Sequence, residues 1–272
     1  MKKFSLFLFF FFFILSTNFA GNENISNGAR SAGMGGASVT LSDLWAVSNN
    51  QAGIAGIKTM KLGFYFENRF LIRELSYKSL AFVFPTHSGV LGINYHYFGY
   101  SAYNEQKIGL AYAKSFGKIF SAGLQLDYLK TSLADNYGSK NAFTFEFGIL
   151  AKLSQNVNLG AHIFNPVNAK FNDYNNEKIP SVFKLGINYT LSEKLIIAIE
   201  SEKNIQFDPS FKAGFEYKLI KFAYLRLGIS NNPTICTFGF GIDYHQFTLD
   251  FSSSIHQYLG YSPQFSFIYN FD

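Results

Sequence analysis

The side chains best suited to chemistry in this sequence are five scattered histidines, His87, His96, His162, His245 and His256, and the carboxylates and hydroxyls near them. Asp243 with His245 and Ser254 with His256 are the only close pairs of the kind that hydrolytic catalysis uses. Both pairs fall where the pattern reads as rim or turn, so no catalytic residue is assigned, and a lipase or protease stands only as the lesser alternative. No two candidate ligands have metal-site spacing. The glycines of residues 28–37 lack the preceding strand and the third position of a dinucleotide fingerprint. Neither a metal nor a cofactor is therefore expected. The net charge of +5 is spread over the chain without a basic stripe, which argues against nucleic acid as a partner. What remains is a set of polar residues that alternation places on one face: His96, Glu146, His162, Lys184, Glu200, Lys212, Glu216, Arg226 and Asp250. Their expected role is a network of charge pairs and hydrogen bonds inside the fold.

The elements that position them read as strands. Ten times a glycine lies between two apolar residues, from Leu62-Gly63-Phe64 to Phe240-Gly241-Ile242, at intervals near one or two multiples of about 13 residues, one strand plus one turn. The apolar neighbours share one face and the glycine belongs to the other. From Met60 onward the period is two: Phe143, Phe145, Phe147 and Ile149 oppose Thr144, Glu146 and Gly148, and Phe183, Leu185 and Ile187 oppose Lys184 and Gly186. Of the 272 residues, 48% are hydrophobic, 19% aromatic and only 15% charged, against about 25% charged in an ordinary soluble domain. A soluble sandwich also has one apolar face per sheet, but its solvated face carries charge, where here glycine and alanine dominate. The chain thus reads as an all-β transmembrane antiparallel β-barrel of about 14 strands. Its connections alternate. Asn68–Leu75, Gly99–Glu105, Thr131–Asn141, Asn165–Pro180 and Ser254–Pro263 are expected to be long, and Pro85–Gly89, Phe116–Lys118, Ser154–Asn156, Leu191–Lys194 and Lys218–Lys221 short. Short periplasmic turns and longer outer loops put both termini at the periplasmic side of a Gram-negative outer membrane. Cys236 is expected to face outward as apolar filler.

The start of the chain is different. Lys2 and Lys3 precede an apolar run from Phe4 to Leu15 and a short exit ending at Ala20, the pattern of a secretory signal peptide over residues 1–20. Residues 21–58 break the strand pattern, and the barrel takes residues 59–272. A flexible run of small residues, Gly28 to Ala37, is followed by Leu41-Ser42-Asp43-Leu44-Trp45-Ala46-Val47, which reads as a helical turn with Ser42 as its cap. A 14-stranded barrel is roughly 28 Å across its backbone, too wide for side chains alone to fill. Glycines 92, 109, 123, 148, 160 and 186 on its inner wall would make room for a threaded segment.

This segment resembles the N-terminal hatch of the FadL-like outer-membrane transport family, including its PorV/PorQ-type members of the type IX secretion system. The run Ala29-Arg30-Ser31-Ala32-Gly33-Met34-Gly35-Gly36-Ala37 is similar to that family's A-R-x-x-G-M-G-x-A. Asn50-Gln51-Ala52-Gly53-Ile54-Ala55 is similar to its N-P-A-G-[LIM]-A, with Gln51 in place of proline. The resemblance marks Gly33, Gly35, Gly36, Asn50, Ala52 and Gly53 as hatch residues folded into the lumen. It implies a non-enzymatic barrel in contact with outer-membrane lipids. Two roles stay open: a gated channel for small hydrophobic molecules, or an accessory barrel that binds cargo or subunits of a secretion apparatus.

Overall fold

The computed structural model describes residues 25–134, 138–171 and 178–271. The expected signal peptide lies outside the described residues. Fourteen strands follow in chain order: β1 (Lys61–Asn68), β2 (Ser76–Pro85), β3 (Val90–Gly99), β4 (Tyr103–Phe116), β5 (Phe120–Leu133), β6 (Ser139–Lys152), β7 (Val157–Phe164), β8 (Val182–Ser192), β9 (Leu195–Asn204), β10 (Ser210–Ile220), β11 (Ala223–Ser230), β12 (Ile235–Tyr244), β13 (Phe247–His256) and β14 (Gly260–Asn270). Each pairs antiparallel with its sequence neighbours, and β1 pairs with β14 to close the ring. Closure removes every unpaired strand edge, the condition for a sheet to sit in hydrocarbon.

Burial is inverted relative to a water-soluble protein. Phe143 is 75% exposed while its neighbour Thr144 is 5% exposed, and Leu126 is 62% exposed between Gln125 and Asp127, each at 1%. The apolar side chains cover the outside and the polar ones are shut within, which leaves no place for the sandwich alternative. Cys236 faces outward, as expected. On the inner face, glycines meet directly across strand pairs, Gly123 opposite Gly148, Gly160 opposite Gly186 and Gly214 opposite Gly228, so the wall is thinnest there.

The two ends of the barrel differ, but less than the sequence suggests. Three connections expected to be long are short: β3 ends at Gly99 and β4 begins at Tyr103, β5 ends at Leu133 and β6 begins at Ser139, and β13 ends at His256 and β14 begins at Gly260. The ladder needs only backbone groups, so it continues past the apolar band through polar stretches such as Asn104-Glu105-Gln106-Lys107, which pair with Ser132 to Leu129. The connection from Asn165 to Ser181 is long, as expected, and its described ends fold inward. Asn165 accepts hydrogen bonds from Thr144 Oγ1 (2.8 Å) and the Ala169 amide (2.9 Å), while its Nδ2 donates to the Ile179 carbonyl (2.9 Å). Phe171, Ile179 and Val182 thereby pack on Leu129, Ala142 and Phe164.

Inside the ring lie two short helices, α1 (Ala29–Gly33) and α2 (Ala46–Asn49), and a 3-10 turn, Gln51–Gly56. Ser42 does not cap α2. The residue ahead of α2 is Trp45, whose amide donates to Asp43 Oδ1 at 2.9 Å. An aspartate turn so takes the place of the expected serine cap, because Asp43 is two residues from Trp45 and its short carboxylate reaches that amide.

Candidate functional site

The N-terminal segment winds across the lumen from end to end. Ile25 lines cavities with Phe98, Phe164, Val182 and Asn204, all at the loop end. Lys58 and Thr59 lie beside Ser115, Lys118 and Lys152 at the turn end. Between them the segment passes the wall at its glycines. A Cβ added to Gly148 would stand 2.0 Å from Asn50 Oδ1. At Gly123 it would lie 2.6 Å from the Gln51 carbonyl carbon, at Gly160 2.5 Å from the Val39 oxygen, and at Gly214 2.5 Å from the Met34 oxygen. At Gly92 and Gly186 the obstacles are Val47 Cγ2 (2.5 Å) and Val39 Cγ1 (2.6 Å). The glycine pattern of the strands is thus the imprint of this segment. Gly109 is the exception among those expected to face it: its space is filled by Gln125 and Asn94 of the wall itself.

The residues of the two family-like runs are the contact points. Gly33 lies against Gly239 and the Arg226 stem. Gly35 (φ +68°) approaches the Ile229 backbone, and Gly36 (φ +78°) lies over Lys212. Thr237 Oγ1 donates to the Gly33 carbonyl and accepts from the Gly35 amide, both at 2.9 Å. Asn50 Nδ2 donates to Val39 O (2.6 Å) and Ile149 O (3.0 Å), and Asn50 Oδ1 accepts from the Ala52 amide (3.2 Å). At Gly53 a side chain would strike Leu41 O at 2.5 Å.

Three charged clusters tie the segment to the wall. In the first, Arg30 forks onto Glu216 (Nε to Oε2 2.8 Å, Nη2 to Oε1 2.6 Å) and reaches Asp43 at 3.1 Å. Arg226 donates to Glu216 and Asp250, each at 2.6 Å. Burial opposes the charge on Arg30, but the pull of Glu216 and then Asp43 more than offsets it, and its pKa is raised above the ordinary guanidinium value. In the second, Glu146 receives Lys107 Nζ (2.6 Å), Gln51 Nε2 (2.7 Å), Gln125 Nε2 (3.1 Å) and a bond with His162 Nε2 (2.8 Å). In the third, Glu200 accepts the amides of Ser38 and Val39, both at 2.7 Å, and pairs with Lys212 at 3.3 Å. Glu202 joins Lys212 (2.7 Å) to Lys184 (3.5 Å). His96 links the second cluster, through Asn94 (2.9 Å) and Gln125, to the aromatic ladder Trp45, Tyr65 and Tyr77, with its Nδ1 2.6 Å from the Tyr77 hydroxyl.

All nine sequence-marked polar residues face the lumen, in separate clusters rather than one network. Asp243 and His245 end up at β12 and the following turn, Ser254 and His256 at the loop end of β13. Among the described residues no group of three or more potential ligands could hold a metal ion. Sequence reading missed Arg30, Asp43, Lys107, Asp127 and Glu202. The last three share inward parity with assigned neighbours, so alternation alone could have found them.

Cavities open at the loop end and on the outer wall. One of about 610 Å³ opens at the loop end, between Arg69, Glu202, Asp208, Lys212 and Phe207. The other, about 390 Å³, is an apolar recess on the outward wall of β6–β8, lined by Phe147, Ile149, Ile163, Phe183 and Leu185, with His162 and Lys184 at its back.

No protein-family model and no curated protein sequence matches this chain. Solved structures do match in fold. The toluene transporter TodX of P. putida aligns with a TM-score of 0.69 at 14% identity over 92% of this chain and 99% of that one. The Ralstonia pickettii toluene transporter TbuX gives 0.70 at 11% identity over 91% and 99%. A Pseudomonas aeruginosa FadL homologue gives 0.58 at 11% identity over 89% and 98%. The chain, a closed barrel of fourteen strands, therefore shares its fold with these proteins.

Proposed function

We propose that this protein is a gated outer-membrane channel for small hydrophobic molecules, with residues 21–58 as its hatch and no catalytic role. The observation that carries the reading is the N-terminal segment lying along the inner wall and held by ion pairs in a barrel of hydrocarbon-channel fold. A passage through such a lumen opens only when the segment shifts. The apolar recess of β6–β8 supports a sideways path, since it lies behind Gly160 and Gly186, where Val39 of the segment touches the wall. In this reading residues 1–20 are removed on export and the short-turn end faces the periplasm. The test is deletion of residues 25–56. In planar bilayers the intact protein is expected to conduct little and the deletion variant steadily; equal conductance would refute the hatch. Uptake of labelled toluene by a host lacking its own transporter is expected for the intact protein and absent for a barrel with the recess filled by Ala161→Trp.

One observation favours the secretion-accessory reading of the PorV/PorQ type. The loop-end cavity sets Arg69, Glu202, Asn204, Asp208 and Lys212 beside Ile25, Val182 and Phe207, a mixed lining of the kind a protein surface meets more readily than a bare hydrocarbon does. Co-purification with secretion proteins from native membranes, without toluene uptake, would select it.

A further inference from the structure

We infer that the turn-end mouth of the lumen is a binding site for phosphate-bearing anions. A cavity of about 560 Å³ opens there between the exit of the N-terminal segment and the inner ends of β4–β7. Lys58, Lys61, Lys118 and Lys152 line it, together with the hydroxyls of Ser42, Thr59, Ser115 and Ser121, and no carboxylate does. The contrast with the rest of the lumen is the telling fact. Arg30, Lys107, Lys184, Lys212 and Arg226 each face a carboxylate within 4.0 Å. Among the described residues, none of the four mouth lysines forms an ion pair. Lys61 and Lys152 have the inward parity of their strands, alongside Gly63 and Gly148, so their charge is turned away from lipid; Lys61 stands between this mouth and a neighbouring cavity that holds Asp43, Asp243 and Asp250.

Four like charges around a concavity repel one another and focus a positive potential, which a multivalent anion relieves. Phosphate suits this lining better than carboxylate, because its extra oxygens can take hydroxyl donors while ammonium groups balance its charge. The space is kept open: a Cβ on Gly56 or Gly117 would meet nothing within 4 Å. The cavity exceeds a bare phosphate and admits a phosphomonoester or a phospholipid headgroup. This inference rests on the mouth alone and stands apart from the channel reading.

The experiment uses full-length protein in neutral detergent, titrated with pyrophosphate by calorimetry, and in nanodiscs of phosphatidylcholine with or without phosphatidylglycerol. Saturable binding that weakens steeply with salt is expected. The pair Lys61→Gln with Lys152→Gln should weaken it at least tenfold. So should Lys58→Gln with Lys118→Gln, which alters only exposed groups and leaves the barrel wall intact. Binding of pyrophosphate alone identifies a soluble ligand, and preference for phosphatidylglycerol identifies a headgroup; either supports the site. Absence of saturable binding to both overturns it, as does an equal loss with the outward Lys114→Gln control.

Discussion

Glu146 carries more of the lumen's polar order than any neighbour, because a lysine, a histidine and two glutamine amides all converge on its two oxygens. Removing one partner from a buried ion network leaves the others uncompensated, at about 3–5 kcal/mol. Glu146→Leu is therefore expected to lower the unfolding free energy by about that amount, read by denaturant titration of heat-modifiable gel mobility. Gln51 is the informative departure from the family-like run. Where the family's motif has proline, this chain places an amide that reaches Glu146, so Gln51→Ala should loosen the segment by about 1 kcal/mol. Faster amide exchange in residues 46–56, with the strands unchanged, is the expected readout. At this scale the sequence was legible by parity: alternation found every inward polar residue it named. It could not pair them, since Arg30 and Glu216 lie 186 positions apart and only the winding of the segment brings them together.

Among the elements, the N-terminal segment and the strands explain each other. Glycine weakens a strand unless another backbone must come close, and here the segment supplies that backbone. Val47 and Gly92 face one another at contact distance. A Val47→Cys, Gly92→Cys protein, with Cys236→Ser to remove the outward thiol, is expected to lock the segment on oxidation. Uptake should fall when the bond forms and return with reductant. The strands themselves answer to lipid. Leu126, near the middle of β5 and 62% exposed, should tolerate polar change poorly: Leu126→Arg is expected to cost about 2–4 kcal/mol in a bilayer, measured by folding into lipid vesicles. Strand positions were readable because a face wetted by hydrocarbon must be apolar at every second residue. Strand ends were not, since backbone pairing continues beyond the apolar band without any change of pattern.

For the molecule as a whole, closure decides stability. β1 and β14 join through pairs such as Phe64 with Phe267. Deleting residues 260–272 should therefore yield no heat-modifiable barrel at all, rather than a smaller one, because two open edges in hydrocarbon lose their hydrogen-bond partners. By itself the sequence determined the fold class, the strand number and which face of each strand meets lipid, since period-two alternation is a local property that follows from the solvent on either side. The tertiary structure alone decided the path of the N-terminal segment, the three charge clusters that hold it and the unpaired lysines at the turn-end mouth. Those depend on how a ring of fourteen strands closes, and closure brings together residues that no spacing along the chain connects.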